Sequence, residues 1–233
     1  MLKRVTLPIL LALGTVCTTA HAHNPGIYLT WNRDISRVFY NRCAVCHRPD
    51  GSAFSLMTYP EVQPRLTEIK NAVLNRRMPP WGAVKGFGDF RNDQALTQEE
   101  IELISDWIDA DAPKGNNPNL LPALPKFKKP PPFEKPKGSL DATGALTLDR
   151  PFILDGLYPE KLPDGKAPRI VAEFPDSRIE PLLWLYEYND SLPHPFLFRN
   201  PLELPAGTKI RGIPSDARVV LLLGKKSSAK ARP

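Results

Sequence analysis

One run of five residues, Cys43-Ala44-Val45-Cys46-His47, is the only C-x-x-C-H in the chain, and it constrains the fold more than any other feature. Two thiols three positions apart leave the backbone within one turn, where each can form a thioether to a vinyl group of haem. The next side chain, His47, is then held under the iron as its first axial ligand. The spacing predicts one covalent haem c attached through Cys43 and Cys46, and a domain built around it. Other uses of these residues fit less well. A closed zinc site needs four soft or imidazole ligands, and after residue 22 the chain offers only Cys43, Cys46, His47, His194 and His23. A thioredoxin-like pair follows a strand and opens a helix, whereas here Trp31, Ile35, Val38 and Phe39 recur upstream with helical period.

The first 22 residues read as an export signal. Lys3 and Arg4 precede an apolar run from Val5 to Val16, and Ala20-His21-Ala22 is a small-residue cleavage site. The run is shorter than the ~20 apolar residues that span a bilayer, so cleavage after Ala22 leaves a periplasmic protein with no integral membrane span. Cys17, preceded by the bulky Val16, is a poor lipidation signal. Cleavage removes Lys3 and Arg4 and lowers the formal charge from +6 to +4. The remaining excess lies in Lys126, Lys128, Lys129, Lys135 and Lys137 and in the tail, between prolines and without a recognition helix, so nucleic acid is not an expected partner.

Composition divides what remains into residues 24–112 with helical periodicity, a linker at 113–138 with eight prolines, a β-rich stretch at 139–225 and a basic tail at 226–233. The expected fold class is therefore α + β in two domains: an all-α haem domain followed by a small β-sandwich. Three helices are expected in the first domain, at 31–42, 64–75 and 98–110. Pro64 suits a first helical position, with Leu66, Ile69 and Val73 on one face. Thr58 and Glu61 can cap a short separate turn, and Thr97 with Glu100 forms a capping box ahead of Ile101, Ile104 and Ile108. Beyond the linker, which favours extended polyproline conformation, strands are expected at 146–148, 152–154, 169–172, 182–188, 208–213 and 218–223. Asp155-Gly156, Asp164-Gly165 and Ala206-Gly207 are read as turns between them.

A second axial ligand must be one of the two methionines left after cleavage, Met57 or Met78, or His194. Met78 is preferred. It lies in Arg76-Arg77-Met78-Pro79-Pro80-Trp81, where prolines stop the second helix and stiffen a loop able to cross the far haem face. Met57, ten residues past His47, reads as packing at the haem edge, and His194, between two prolines, as an exposed turn residue.

With these motifs in hand, residues 31–112 resemble a class I cytochrome c domain, and Asn41 to Arg48 together with Arg76 to Trp81 are similar to periplasmic cytochrome c domains fused to other modules in bacteria. The resemblance implies a distal Met, crossing terminal helices, and an aromatic residue four positions before the first haem cysteine, here Phe39, packed on the last helix at Leu103 and Trp107. It also implies an electron carrier, not an enzyme, that exchanges single electrons with redox partner proteins. The alternatives are a haem-bearing subunit of a periplasmic oxidase or monooxygenase, and a gas sensor in which Met78 leaves the iron. Residues Leu183 through Thr208 resemble the last strands of the C-terminal domain in copper type II, ascorbate-dependent monooxygenases. The His-x-His pair and methionine which that family uses for copper are missing, since His194 stands alone and no Met follows Met78.

Overall fold

A computed structural model describes residues 28–128, 132–163 and 165–225. The expected signal segment, Cys17, His23 and the tail at 226–233 lie outside the described residues.

The chain enters through one continuous helical run of three pieces: π-helical Trp31–Ile35, α1 at Ser36–Val38 and π-helical Phe39–Cys43. Thr30 caps it, its side chain accepting from the Arg33 amide. Backbone bonds that reach five residues back widen the helix, and the last of them, Ala44 N–H to Phe39 O at 2.8 Å, closes it at Cys43. Next come α2 at Tyr59–Val62, capped by the reciprocal Thr58–Glu61 bonds, a 3₁₀ turn at Gln63–Arg65 and α3 at Leu66–Leu74. The capping box of Thr97 and Glu100 opens α4 at Gln98–Asp109. Trp31, Ile35, Phe39, Val73, Ile104 and Trp107 bury together as the core of this helical body. Phe39 meets Trp107 edge-on, with ring centroids 6.5 Å apart.

Two four-stranded antiparallel sheets make up the second body. One has the order β1 (Leu140–Ala142), β8 (Arg218–Leu223), β3 (Phe152–Lys161), β6 (Phe196–Leu204). The other runs β2 (Leu146–Thr147), β7 (Lys209–Arg211), β4 (Arg169–Glu173), β5 (Ile179–Trp184). β8 lies between β1 and β3, and its Val219 to Leu222 are all buried, so it reads as a continuous apolar run instead of an alternation.

The expected fold class is corrected here. The described helices are short, α4 having twelve residues, two four-stranded antiparallel sheets stand beside them, and residues 31–112 do not form an all-α cytochrome c domain. Between Met78 and Leu96 the chain leaves the helices and forms a strap across the β body. Val84 N–H donates to Trp184 O and Tyr186 N–H to Gly82 O, each at 2.8 Å, beside edge strand β5. Arg91 N–H donates to Leu197 O at 2.9 Å and Arg199 N–H to Asp89 O at 2.8 Å, on edge strand β6 of the other sheet. Trp81 and Phe90 are buried in the β core, where both rings pack on Phe196. Large aromatic side chains with no helical period find their burial here instead of around the helices, while hydrogen bonds to the strap satisfy two exposed sheet edges.

Two smaller expectations change as well. Asp155-Gly156 is not a turn: Gly156 sits inside β3 at a register shift, and a Cβ there would lie 2.3 Å from the Phe196 carbonyl oxygen. The glycine serves close backbone approach between β3 and β6. β6 itself carries Pro201 and follows Pro195, a composition that reads as loop yet is tolerated in an edge strand. The proline-rich linker is docked at both ends. Pro113 O accepts from Trp31 N–H at 2.9 Å and from Trp107 Nε1–H at 3.0 Å, and the Phe133 ring packs on Tyr158 at 4.7 Å.

Candidate functional site

The helical run ends by presenting Cys43, Cys46 and His47 from one turn. Cys46 N–H and His47 N–H both donate to Cys43 O, at 3.1 and 2.8 Å. Arg42, one residue earlier, donates through Nε to both carboxylate oxygens of Glu100 at 2.9 and 3.2 Å. Since Glu100 also accepts from Thr97 N–H at 2.8 Å, the motif is tied directly to the start of α4.

Both thiols are unpaired, Cys46 exposed and Cys43 half-buried against the helical core. Burial, with smaller contributions from Glu100 and Cys46, pushes the Cys43 thiol up to about 12. It therefore stays protonated near neutral pH, the opposite of the low-pKa thiolate that thiol–disulfide exchange needs.

The loop after the motif fixes the imidazole. His47 Nδ1 lies 2.9 Å from Phe54 O, a carbonyl that can only accept, so the proton sits on Nδ1 and the Nε2 lone pair is free for a metal. Ala53 N–H returns to Cys46 O at 3.2 Å and Leu56 N–H to His47 O at 3.1 Å. Gly51 allows this fold-back, because a Cβ there would stand 2.0 Å from Cys46 O. The Phe54 ring meets His47 edge-on at 4.7 Å and carries the Arg65 guanidinium 3.9 Å above its centroid. From the linker, Phe127 lies 4.6 Å beneath the Arg48 guanidinium, placing it beside the motif.

Met78 stands apart. Its N–H and that of Arg77 donate to Ala72 O near the end of α3, at 3.3 and 2.9 Å, and the strap begins at Trp81. Among the described residues, no hydrogen bond joins the Met78 backbone to the motif. Its side chain is 41% exposed, in company with Val45 at 41%, Phe54 at 49% and Leu74 at 49%. Arg76 donates to Gln98 Oε1 at 2.8 Å. Met57 is half-buried beside the fully packed Leu56.

His194 is not an exposed turn residue. Its ring stacks on Trp81 at 5.2 Å and packs on Phe196 at 4.8 Å, with Nε2 3.1 Å from Trp81 O and Nδ1 3.0 Å from Leu192 O. The flanking prolines suggested a solvated turn; the partner that buries it, Trp81, lies more than a hundred residues away in sequence.

Among the described residues, no three His, Cys, Asp or Glu side chains converge as a metal cluster, and no helix is long and apolar enough to cross a membrane. No known protein family, curated protein or solved structure matches the chain.

The residues at the motif fit a covalent haem on their own chemistry. Two unpaired thiols and an imidazole with a free Nε2 leave one turn together, and large apolar side chains stand half-exposed in the same helical body. A porphyrin held on the two thiols would supply the remaining metal donors that the protein does not.

Proposed function

We propose that this chain is a periplasmic electron carrier holding one covalent haem c on Cys43 and Cys46, with His47 as the proximal and Met78 as the distal iron ligand. The observation that carries the reading is the His47 imidazole, oriented by the Phe54 carbonyl within the same turn that presents both thiols. When bound, the haem supplies a one-electron iron couple, and a thioether opposite an imidazole favours the ferrous state.

The protein's part is positioning. The Phe54 carbonyl holds the proton on His47 Nδ1 and fixes the ring plane. The Arg42–Glu100 pair and the Phe39–Trp107 contact hold the motif turn against α4, so that little has to move when the charge at the site changes. The exposed Cys46 marks the edge at which a redox partner can approach.

The test is a redox-cycled absorption spectrum with a pyridine haemochrome assay on protein matured in a periplasm, repeated for Met78→Ala and Met57→Ala. The reading predicts a c-type haemochrome, with the ferric thioether band lost in Met78→Ala alone. Loss in Met57→Ala alone overturns the ligand assignment. Rapid carbon monoxide binding by the ferrous wild type favours a sensor with a labile Met78 over a carrier.

A further inference from the structure

The β body has no role in the reading above, yet the loop carrying Met78 ends inside it. Three residues after Met78, Trp81 is 5% exposed and packs on Phe90, Phe196 and His194. On the other side, Met78 N–H is bonded to the end of α3. Between these two anchors lie only Pro79 and Pro80, whose fixed φ angles leave little slack. Whatever sets Trp81 therefore sets Met78.

His194 makes the polar contact to that anchor. Its Nε2 reaches the Trp81 carbonyl at 3.1 Å while its ring covers the indole. The His194 backbone is itself held from behind, since its amide N–H donates to the Tyr188 hydroxyl at 3.3 Å and that hydroxyl donates to Pro159 O in β3 at 3.2 Å. The adjacent strap bonds, Tyr186 N–H to Gly82 O and Val84 N–H to Trp184 O, continue the attachment along β5.

We infer that His194 is a positioning residue for Met78, and that the β body is the mount that holds the distal-ligand loop. This rests on Met78 being the distal ligand. Coupling of this kind is reciprocal: ligation by Met78 also steadies the strap.

The experiment uses the haem-loaded full chain. His194→Phe keeps an aromatic ring on Trp81 but removes the Nε2 contact, His194→Gln places an amide group near Nε2, and His194→Asn places one near Nδ1. We expect His194→Phe and His194→Asn to weaken the ferric thioether band and to raise ferrous carbon monoxide affinity by about tenfold, as the ligated fraction falls. His194→Gln restores both, and thermal unfolding of the β body moves far less than the band. In Met78→Ala, hydrogen exchange at the Val84 and Tyr186 amides accelerates while that of β8 is unchanged; this arm does not depend on any His194 variant folding. A band that Met78→Ala removes but His194→Phe leaves intact, or strap exchange equal to wild type in Met78→Ala, overturns the positioning role alone. A band that survives Met78→Ala overturns the ligand assignment, and the inference with it.

Discussion

The helical body and the β body solve the burial problem differently. The β body buries a continuous core of Leu154, Leu157, Ile170, Leu183, Phe196 and Leu221, and the strap covers an edge of each sheet, leaving Ile179 and Leu192 exposed at its surface. The helical body packs Trp31, Phe39 and Trp107 tightly at its centre but leaves Val45, Phe54, Leu74 and Met78 half in water. Its helices are short, and short helices gain most of their stability from tertiary packing. Under the proposed function, haem is the apolar group that would cover the half-exposed side chains of the helical body.

The largest expected effect breaks this contrast by removing haem attachment. In a Cys43→Ser/Cys46→Ser variant, hydrogen-exchange protection in α3 and α4 should collapse while β3 and β8 keep theirs. Equal protection in both bodies would show that the helical core is self-sufficient.

Two glycines sharpen the comparison. Gly156→Ala places a Cβ against the Phe196 carbonyl and should cost the β body ~3 kcal/mol in urea unfolding, with the haem spectrum unchanged. Gly51→Ala places one against the Cys46 carbonyl and should do the reverse, disturbing the visible spectrum while leaving β unfolding alone.

A smaller effect is expected at Glu100. Glu100→Ala removes the carboxylate half of the α4 capping box, its bond from Thr97 N–H, and the partner of Arg42, and should lower the stability of the helical body by ~1–2 kcal/mol. Arg42→Ala should cost less, because the cap survives.

The smallest effect concerns pH. Burial, only partly offset by the Leu192 and Trp81 carbonyls, lowers the pKa of His194 from its ordinary 6.5, and the titratable group facing it is Tyr188. The unfolded chain therefore takes up the proton more readily than the folded one. This contribution to stability is fully present above pH 6.5 and is lost as pH falls through the depressed folded value. The acid limb of β unfolding should flatten in His194→Gln.

Local signals were legible where their partners are close in sequence. Thr97 with Glu100 and Thr58 with Glu61 cap the helices they flank, and Phe39 meets Trp107 as expected from the family resemblance. The motif at 43–47 is legible for the same reason. What could not be read has partners far away. Trp81 and Phe90 carry no period of their own and pack on Phe196. Gly156 looks like a turn residue until β6 lies beside it, and β6 is hidden by prolines that an edge strand tolerates. In the site, the Phe54 carbonyl that orients His47 is a backbone group and leaves no trace in residue type. The strap taught the main correction: the segment carrying Met78 belongs to both bodies, and a division by composition alone assigns it wholly to the helical one.

The most direct measurement is the intact mass, under denaturing conditions, of the exported wild-type chain beside Cys43→Ser/Cys46→Ser. The account predicts a wild-type chain heavier than its polypeptide by one haem, with the variant at polypeptide mass. A wild-type chain at bare polypeptide mass that nonetheless protects α3 and α4 from exchange would contradict it.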